Sequence, residues 1–128
     1  MDARTQTILN LFHESWTETL LRYDDLITNY SGFERFKPLR EFILKLQVQG
    51  EDKYFRIGTS VHYLIISRSV NHGLRTDQKS IKIDVINEND YYVTFRDDTV
   101  TYREYRLQTL DDPRMYKLLK TLKDTLVD

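Results

Sequence analysis

The chain has 128 residues, 40% of them hydrophobic and 30% charged, with a formal net charge of −1 and no cysteine. This length fits one domain over residues 1–128, and nine Tyr, six Phe and one Trp exclude an intrinsically disordered chain. The lack of cysteine excludes a disulfide scaffold and any Cys-ligated metal centre. The sequence has neither an 18-residue apolar run nor a secretory signal peptide, so we expect a soluble, cytoplasmic protein that does not enter a membrane.

The small net charge conceals an uneven distribution. Ten basic and five acidic residues fall between positions 32 and 82, whereas three basic and eight acidic residues fall between 83 and 112. Such blocks can form a basic surface patch, although antiparallel strands from the two blocks can also cancel it.

A long N-terminal helix is predicted from about residue 4 to residue 30, because apolar residues recur there at intervals of three and four. These residues are Ile8, Phe12, Trp16, Leu20, Tyr23, Ile27 and Tyr30. Gly32 follows at a position where a helix end favours a left-handed residue. At 1.5 Å per residue the helix would be roughly 40 Å long, which exceeds the width of a small domain. We therefore expect it either to bend near Asp24 or to project and pack on a second copy of the chain.

From residue 39 the pattern changes to alternation. It predicts a strand with Phe42, Leu44, Leu46 and Val48 on its packed face. A turn at 50–53 leads to a second strand at 54–57. The segment 58–60 interrupts the pattern, and a third strand is predicted from about residue 61 to residue 69. The centre of this third strand is apolar on both faces, which indicates an inner strand covered on both sides.

The connection between the next two predicted strands must be irregular. Ile83 and Val93 share a face only if an odd number of residues, or a β-bulge, joins the two strands near 87–90. A two-residue turn at 97–98 then predicts a final hairpin that sets Phe95 opposite Val100.

A second helix closes the chain, with Asp112 as its N-cap and Pro113 at its first position. Its apolar stripe consists of Met115, Leu118, Leu119, Leu122 and Leu126. Together the elements predict an α+β fold. It comprises an antiparallel sheet of five or six strands, mostly in meander order, flanked by a long N-terminal helix and a C-terminal helix.

No motif in the sequence indicates a particular catalytic chemistry. The three histidines, His13, His62 and His72, have no metal-ligand spacing, and the four glycines lie too far apart for a phosphate-binding loop. We therefore predict no metal and no cofactor. One enzymatic alternative stays open, in which His72 acts with Arg68 or Arg75 in a cleft.

The segment 67–79 is explained least by folding requirements. It gathers Arg68, His72, Arg75 and Lys79 around a glycine, with a single acidic residue. Arginine side chains and backbone amides in such a loop can hold a phosphate or a carboxylate. The alternative is a polar surface crossover whose arginines pair with neighbouring acids.

A second candidate site is the polar face of the last strands. The predicted register places Tyr92 opposite Arg103 and brings Lys82 and Arg96 beside them. Aromatic and arginine side chains on an antiparallel sheet are typical of single-stranded nucleic-acid binding. The alternative is a solvated sheet face with a stabilising Tyr–Arg pair.

These observations predict a non-enzymatic interaction module that binds a partner protein or self-associates as a homodimer through its N-terminal helix. The alternative function is the binding of single-stranded nucleic acid or of a phosphorylated or anionic ligand. The residues that would carry this alternative are Arg68, His72, Arg75, Lys79, Tyr92 and Arg103.

Overall fold

The computed structural model describes residues 3–69, 79–97 and 100–125, and its fold is α+β. A five-stranded antiparallel sheet in sequential order is flanked by a long N-terminal helix and a C-terminal helix. The helices are α1 (Ala3–Asn29), α2 (Lys37–Val48) and α3 (Pro113–Lys123), and the strands are β1 (Arg56–Ser60), β2 (Tyr63–Ser67), β3 (Ser80–Asn87), β4 (Asp90–Asp97) and β5 (Val100–Leu107). Within the described part of the chain, no helix is both long and apolar enough to cross a membrane.

The predicted N-terminal helix is confirmed as one uninterrupted element of 27 residues. Phe12, Trp16 and Tyr23 of the predicted stripe are buried. Leu26, which the predicted stripe did not include, is also buried, whereas Tyr30 is 54% exposed. Gly32 has a φ of +87° just beyond the helix, where a residue without a Cβ atom is favoured.

The predicted strand over 42–48 is wrong, because this segment belongs to α2. Leu39, Phe42, Ile43 and Leu46 are its buried residues, at the i, i+3, i+4 and i+7 positions of one helical face. Val48, which alternation placed on the packed face, is 88% exposed. A short segment with apolar residues at 42, 43, 44 and 46 fits both the period of a strand and the period of a helix. In this protein packing against the core favours the helix. The sheet therefore has five strands.

The predicted irregularity between β3 and β4 is confirmed. Ile83 pairs with Val93, and a register shift between Val85 and Asn87 restores the shared apolar face. The segment 58–60, which the sequence indicated as an interruption, is instead part of β1.

The predicted register of the last hairpin is wrong. Asp97, which was expected in the turn, pairs with Val100, and a bulge at Tyr102 then sets Phe95 opposite Arg103. The pairing of Asp97 with Val100 differs from the predicted register by two residues, and the bulge adds one more. A shift of three is odd, so it transfers Arg103 to the opposite face of the sheet.

One face of the sheet packs against the helices to form the core. The buried residues of α2 and α3 all belong to the same cluster as Leu64, Ile66, Ile81, Ile83 and Val93 of the sheet. The apolar stripe of α1 contributes Trp16, Tyr23 and Leu26 to that cluster. On the opposite face of the sheet Ile65, Ser67 and Thr94 are also buried.

Side chains of α1 close the outer edge of β1. The Trp16 Nε1 donates to the Phe55 carbonyl at 2.8 Å, and the Ile57 N–H donates to the Ser15 Oγ at 3.1 Å. At the end of the strand the Tyr23 hydroxyl donates to the His62 carbonyl at 3.1 Å. These hydrogen bonds hold α1 alongside the sheet. They also satisfy backbone groups at the edge of the sheet that a sixth strand would otherwise pair.

Candidate functional site

The sheet face that faces away from the core carries mostly polar side chains. We call it the open face, and the strand register assigns its members. They are Arg56, Gly58, Ser60, Tyr63, Ile65, Ser67, Ser80, Lys82, Asp84, Tyr92, Thr94, Arg96, Thr101, Glu104 and Arg106.

A groove runs between α1 and the β1–β2 part of the open face, with a volume of about 340 Å³. Its helical wall is formed by Ser15, Glu18, Thr19 and Arg22. Ser15, Thr19 and Arg22 are spaced four and three residues apart, which places them on one flank of α1 beside its buried stripe. The wall exists because the edge-closing hydrogen bonds hold α1 against β1.

The floor of this groove is low because Gly58 has no side chain. A Cβ atom built at Gly58 would meet no heavy atom within 4 Å, so the space above this position is open. The partner of Gly58 across the strands is Ile65, which is 6% exposed and lies outside the main core cluster. The groove therefore combines an apolar floor with a polar rim.

The far half of the open face is occupied by pairs within the protein. Lys82 Nζ lies 4.1 Å from the centroid of the Tyr63 ring, and Arg106 holds Asp90 through bonds of 2.9 and 2.5 Å. The Tyr92 hydroxyl donates to the Glu104 carboxylate, and this bond raises the pKa of the tyrosine, with desolvation adding to it. The Tyr92 hydroxyl is therefore already engaged by a carboxylate of the same face.

The structure separates the residues predicted as one ligand-binding set. Tyr92 lies on the open face, whereas Arg103 lies on the core side of the sheet, where its guanidinium stacks 5.6 Å from the Tyr102 ring. The predicted Tyr92–Arg103 pair is thus wrong, and Tyr92 pairs with Arg106. His72 and Arg75 lie outside the described residues.

Arg68 and Lys79 lie at the two ends of the predicted loop, directly after β2 and directly before β3. Lys79 is exposed, whereas two nitrogens of the Arg68 guanidinium, Nε and Nη1, are buried. Desolvation lowers the pKa of Arg68, and the nearby Asp124 carboxylate opposes that effect.

Sequence reasoning did not find the groove. Its helical wall could have been suspected from the small and polar residues beside Trp16, and Gly58 was noticed only as an interruption of a strand. Among the residues that the structure describes, no group of three or more His, Asp or Glu side chains is placed to hold a metal ion.

No protein-family model matches this chain, and neither a curated protein nor a solved structure is significantly similar to it.

Proposed function

We propose that this protein is a non-enzymatic binding module that receives its ligand or partner in the groove between α1 and the open face. The observation that carries this proposal is the open space above Gly58, in a groove walled by α1 and floored by Ile65.

The size and lining of the groove support this function. Ligand sites commonly have volumes of about 300–1,000 Å³ and combine apolar surface with a few polar groups that orient the ligand. The groove is lined by the Arg22 and Arg56 side chains, by several hydroxyl-bearing residues and by the apolar Ile65 floor. Among its described lining residues the only carboxylate is that of Glu18, and none is a histidine, so the lining suits recognition better than acid–base chemistry.

The test is to fill the groove without disturbing the fold. Replacing Gly58→Leu projects a side chain into the open space, and its Cβ atom meets nothing. We expect the variant to fold and to lose the specific partners that the wild-type protein captures from cell extract, measured by quantitative mass spectrometry. The control is Val100→Leu, which enlarges a 63%-exposed side chain on β5. Equal capture by wild type, Gly58→Leu and Val100→Leu would refute the groove as the binding site.

Self-association through the N-terminal helix is the second candidate function. The first nine described residues of α1, from Ala3 to Leu11, include none that is buried, although Ile8, Leu9 and Leu11 are apolar and half-buried. A homodimer would cover these side chains. Size-exclusion chromatography with light scattering is expected to give twice the 15.4 kDa mass of one chain, and a monomeric mass at high concentration would exclude the homodimer.

Single-stranded nucleic acid is an alternative ligand class for the same face. Lys82, Tyr92 and Arg96 support it because they share the open face, but Asp84 and Glu104 lie among them and oppose a polyanion.

A cytoplasmic location also stays a prediction, which imaging of the tagged full chain would test.

A further inference from the structure

The outer edge of β5 is an edge of the sheet that no described element closes. The strand order runs from β1 to β5, so each of these two strands pairs along one side. Side chains of α1 satisfy the other end of the sheet at Ile57 and at the adjoining Phe55. Among the described residues, no backbone hydrogen bond besides the pairing with β4 involves residues 100–107. The outward backbone groups of β5 are therefore available to a further strand.

β5 is accessible along most of its length. Every residue of this strand is exposed except Tyr105, which is half-buried, and Leu107, which is buried. β4 is the one described element against which β5 packs along its length. The bulge at Tyr102 protects the first part of the edge by interrupting its regular geometry, and residues 103–107 follow it as a regular stretch. This stretch contains neither proline nor lysine, two residues that commonly protect an exposed edge from pairing.

The charges of this stretch favour one register for pairing with a second copy of the chain. In a two-fold antiparallel pairing, one residue lies opposite itself and directly opposite residues share a face. A centre at Arg103, Glu104 or Arg106 would set two like charges opposite each other. A centre at Tyr105 sets Glu104 opposite Arg106 of the second copy, and the symmetry repeats this pair. The same register sets Arg103 opposite Leu107, which is uncharged.

Glu104 and Arg106 are placed to form this pair without breaking their internal bonds. Both lie on the open face. Arg106 binds Asp90 through Nε and Nη2, and Glu104 accepts from the Tyr92 hydroxyl at Oε2. These bonds do not use the Arg106 Nη1 or the Glu104 Oε1. A bond from Nη1 of one copy to Oε1 of the other would therefore be charge-assisted and would extend the internal pairs across the two sheets.

From these observations we infer that two copies of the chain pair antiparallel through β5, centred on Tyr105, and join their sheets into one of ten strands, five from each copy. The inference goes beyond the proposed function, because no residue of β5 lines the groove between α1 and the open face. It also uses a different surface from the start of α1. One strand edge forms a small interface, so we expect a weak dimer with a Kd of about 10–100 µM.

The test is analytical ultracentrifugation of the full chain over a concentration range of about 5–500 µM. Glu104→Arg sets two cations opposite each other and Arg106→Glu sets two anions, so each variant alone should dimerise at least about tenfold more weakly than the wild type. An equimolar mixture of the two variants should form a heterodimer, because each chain then presents the charges that complement the other. Arg103→Glu is the matched control: it changes the net charge as Arg106→Glu does, but lies opposite Leu107 and should leave dimerisation near the wild-type level.

Urea unfolding of each variant shows that the chain still folds, and hydrogen exchange locates the interface. Alternate amides of residues 103–107 should exchange more slowly as the wild-type concentration rises, and in the heterodimer, but not in either variant alone. A mixture that stays monomeric overturns the pairing of Glu104 with Arg106.

A wild-type protein that is monomeric at about 1 mM overturns the second copy as the occupant of this edge, even if an unrelated extended peptide binds there. A dimer that both variants retain also overturns the inference and assigns self-association to another surface. None of these results changes the partner-capture comparison with Gly58→Leu, so the groove succeeds or fails as a binding site independently.

Discussion

Val61 is held in a left-handed backbone conformation that a β-branched residue rarely adopts. It is the only described non-glycine residue with a positive φ, +59°, and it lies in the two-residue turn between β1 and β2. Its neighbour His62 fixes the turn by accepting a hydrogen bond from Tyr23 and by packing its ring 5.7 Å from that of Phe36. The surrounding contacts thus maintain a conformation that Val61 itself disfavours.

Replacing Val61→Gly should stabilise the protein. The left-handed conformation costs an L-residue about 1–2 kcal/mol, and glycine is free of this cost. The gain is reduced by about 0.5–1 kcal/mol because glycine has more freedom in the unfolded chain. The Val61 side chain is 74% exposed, so little buried apolar surface is lost. The expected net effect is a gain of about 0.5–1 kcal/mol in the free energy of unfolding.

Urea unfolding followed by circular dichroism measures this change, with Val100→Gly as the control. Val100 is similarly exposed, at 63%, but begins a strand, where glycine should destabilise by about 0.5–1 kcal/mol. Val61→Asn should also stabilise, because asparagine tolerates the left-handed region. The strain argument fails if Val61→Gly lowers the unfolding free energy as Val100→Gly does.

Three further predictions concern the contact between α1 and β1. Trp16→Phe should lower the free energy of unfolding by about 2–3 kcal/mol in urea titration, because it shrinks a fully buried side chain and leaves the Phe55 carbonyl without its donor. Ser15→Ala should cost about 1–2 kcal/mol and accelerate hydrogen exchange of the Ile57 amide, whereas unchanged exchange would show that Ser15 does not close the edge. Burial raises the pKa of the Tyr23 phenol above its ordinary value of 10.0. The unfolded chain therefore loses this proton first, and the free energy of unfolding falls as the pH rises above about 10. Tyr23→Phe should therefore reduce the loss of stability between pH 9 and pH 11 in urea titrations.

The elements with a clear period were predictable from the sequence. The stripes of α1 and α3 extend over several turns, and the alternation in β3 and β4 requires an odd loop or a bulge between the two strands. The segment of α2 has neither a stripe over many turns nor a long alternation. Its apolar residues fit a short strand and a three-turn helix, and the choice depends on packing of Leu39 and Ile43 against the core, which lies outside the local pattern.

The candidate site was less predictable because it depends on register and on docking. Ser15 and Gly58 line the same groove although they are 43 positions apart in the sequence, and Ile65 joins them only through the pairing of β1 with β2. The bulge at Tyr102 places Arg103 on the other face from Tyr92. It could not be predicted, because β5 is mostly polar and has no alternation of apolar residues that a bulge would interrupt. The wall formed by α1 follows from hydrogen bonds of Ser15 and Trp16 to one strand edge, and periodicity alone does not specify that partner.

The backbone conformation and the packing do not explain why residue 58 is a glycine. Its backbone needs no left-handed φ, and no neighbour is close enough to exclude a Cβ atom. A glycine inside a strand costs about 0.5–1 kcal/mol relative to alanine, so Gly58→Ala should raise the free energy of unfolding by that amount in urea titration. If Gly58→Ala destabilises the protein, the glycine has a structural role and the groove loses its main support. If the variant is more stable, the fold tolerates a side chain at this position, which is the result that the proposed groove predicts.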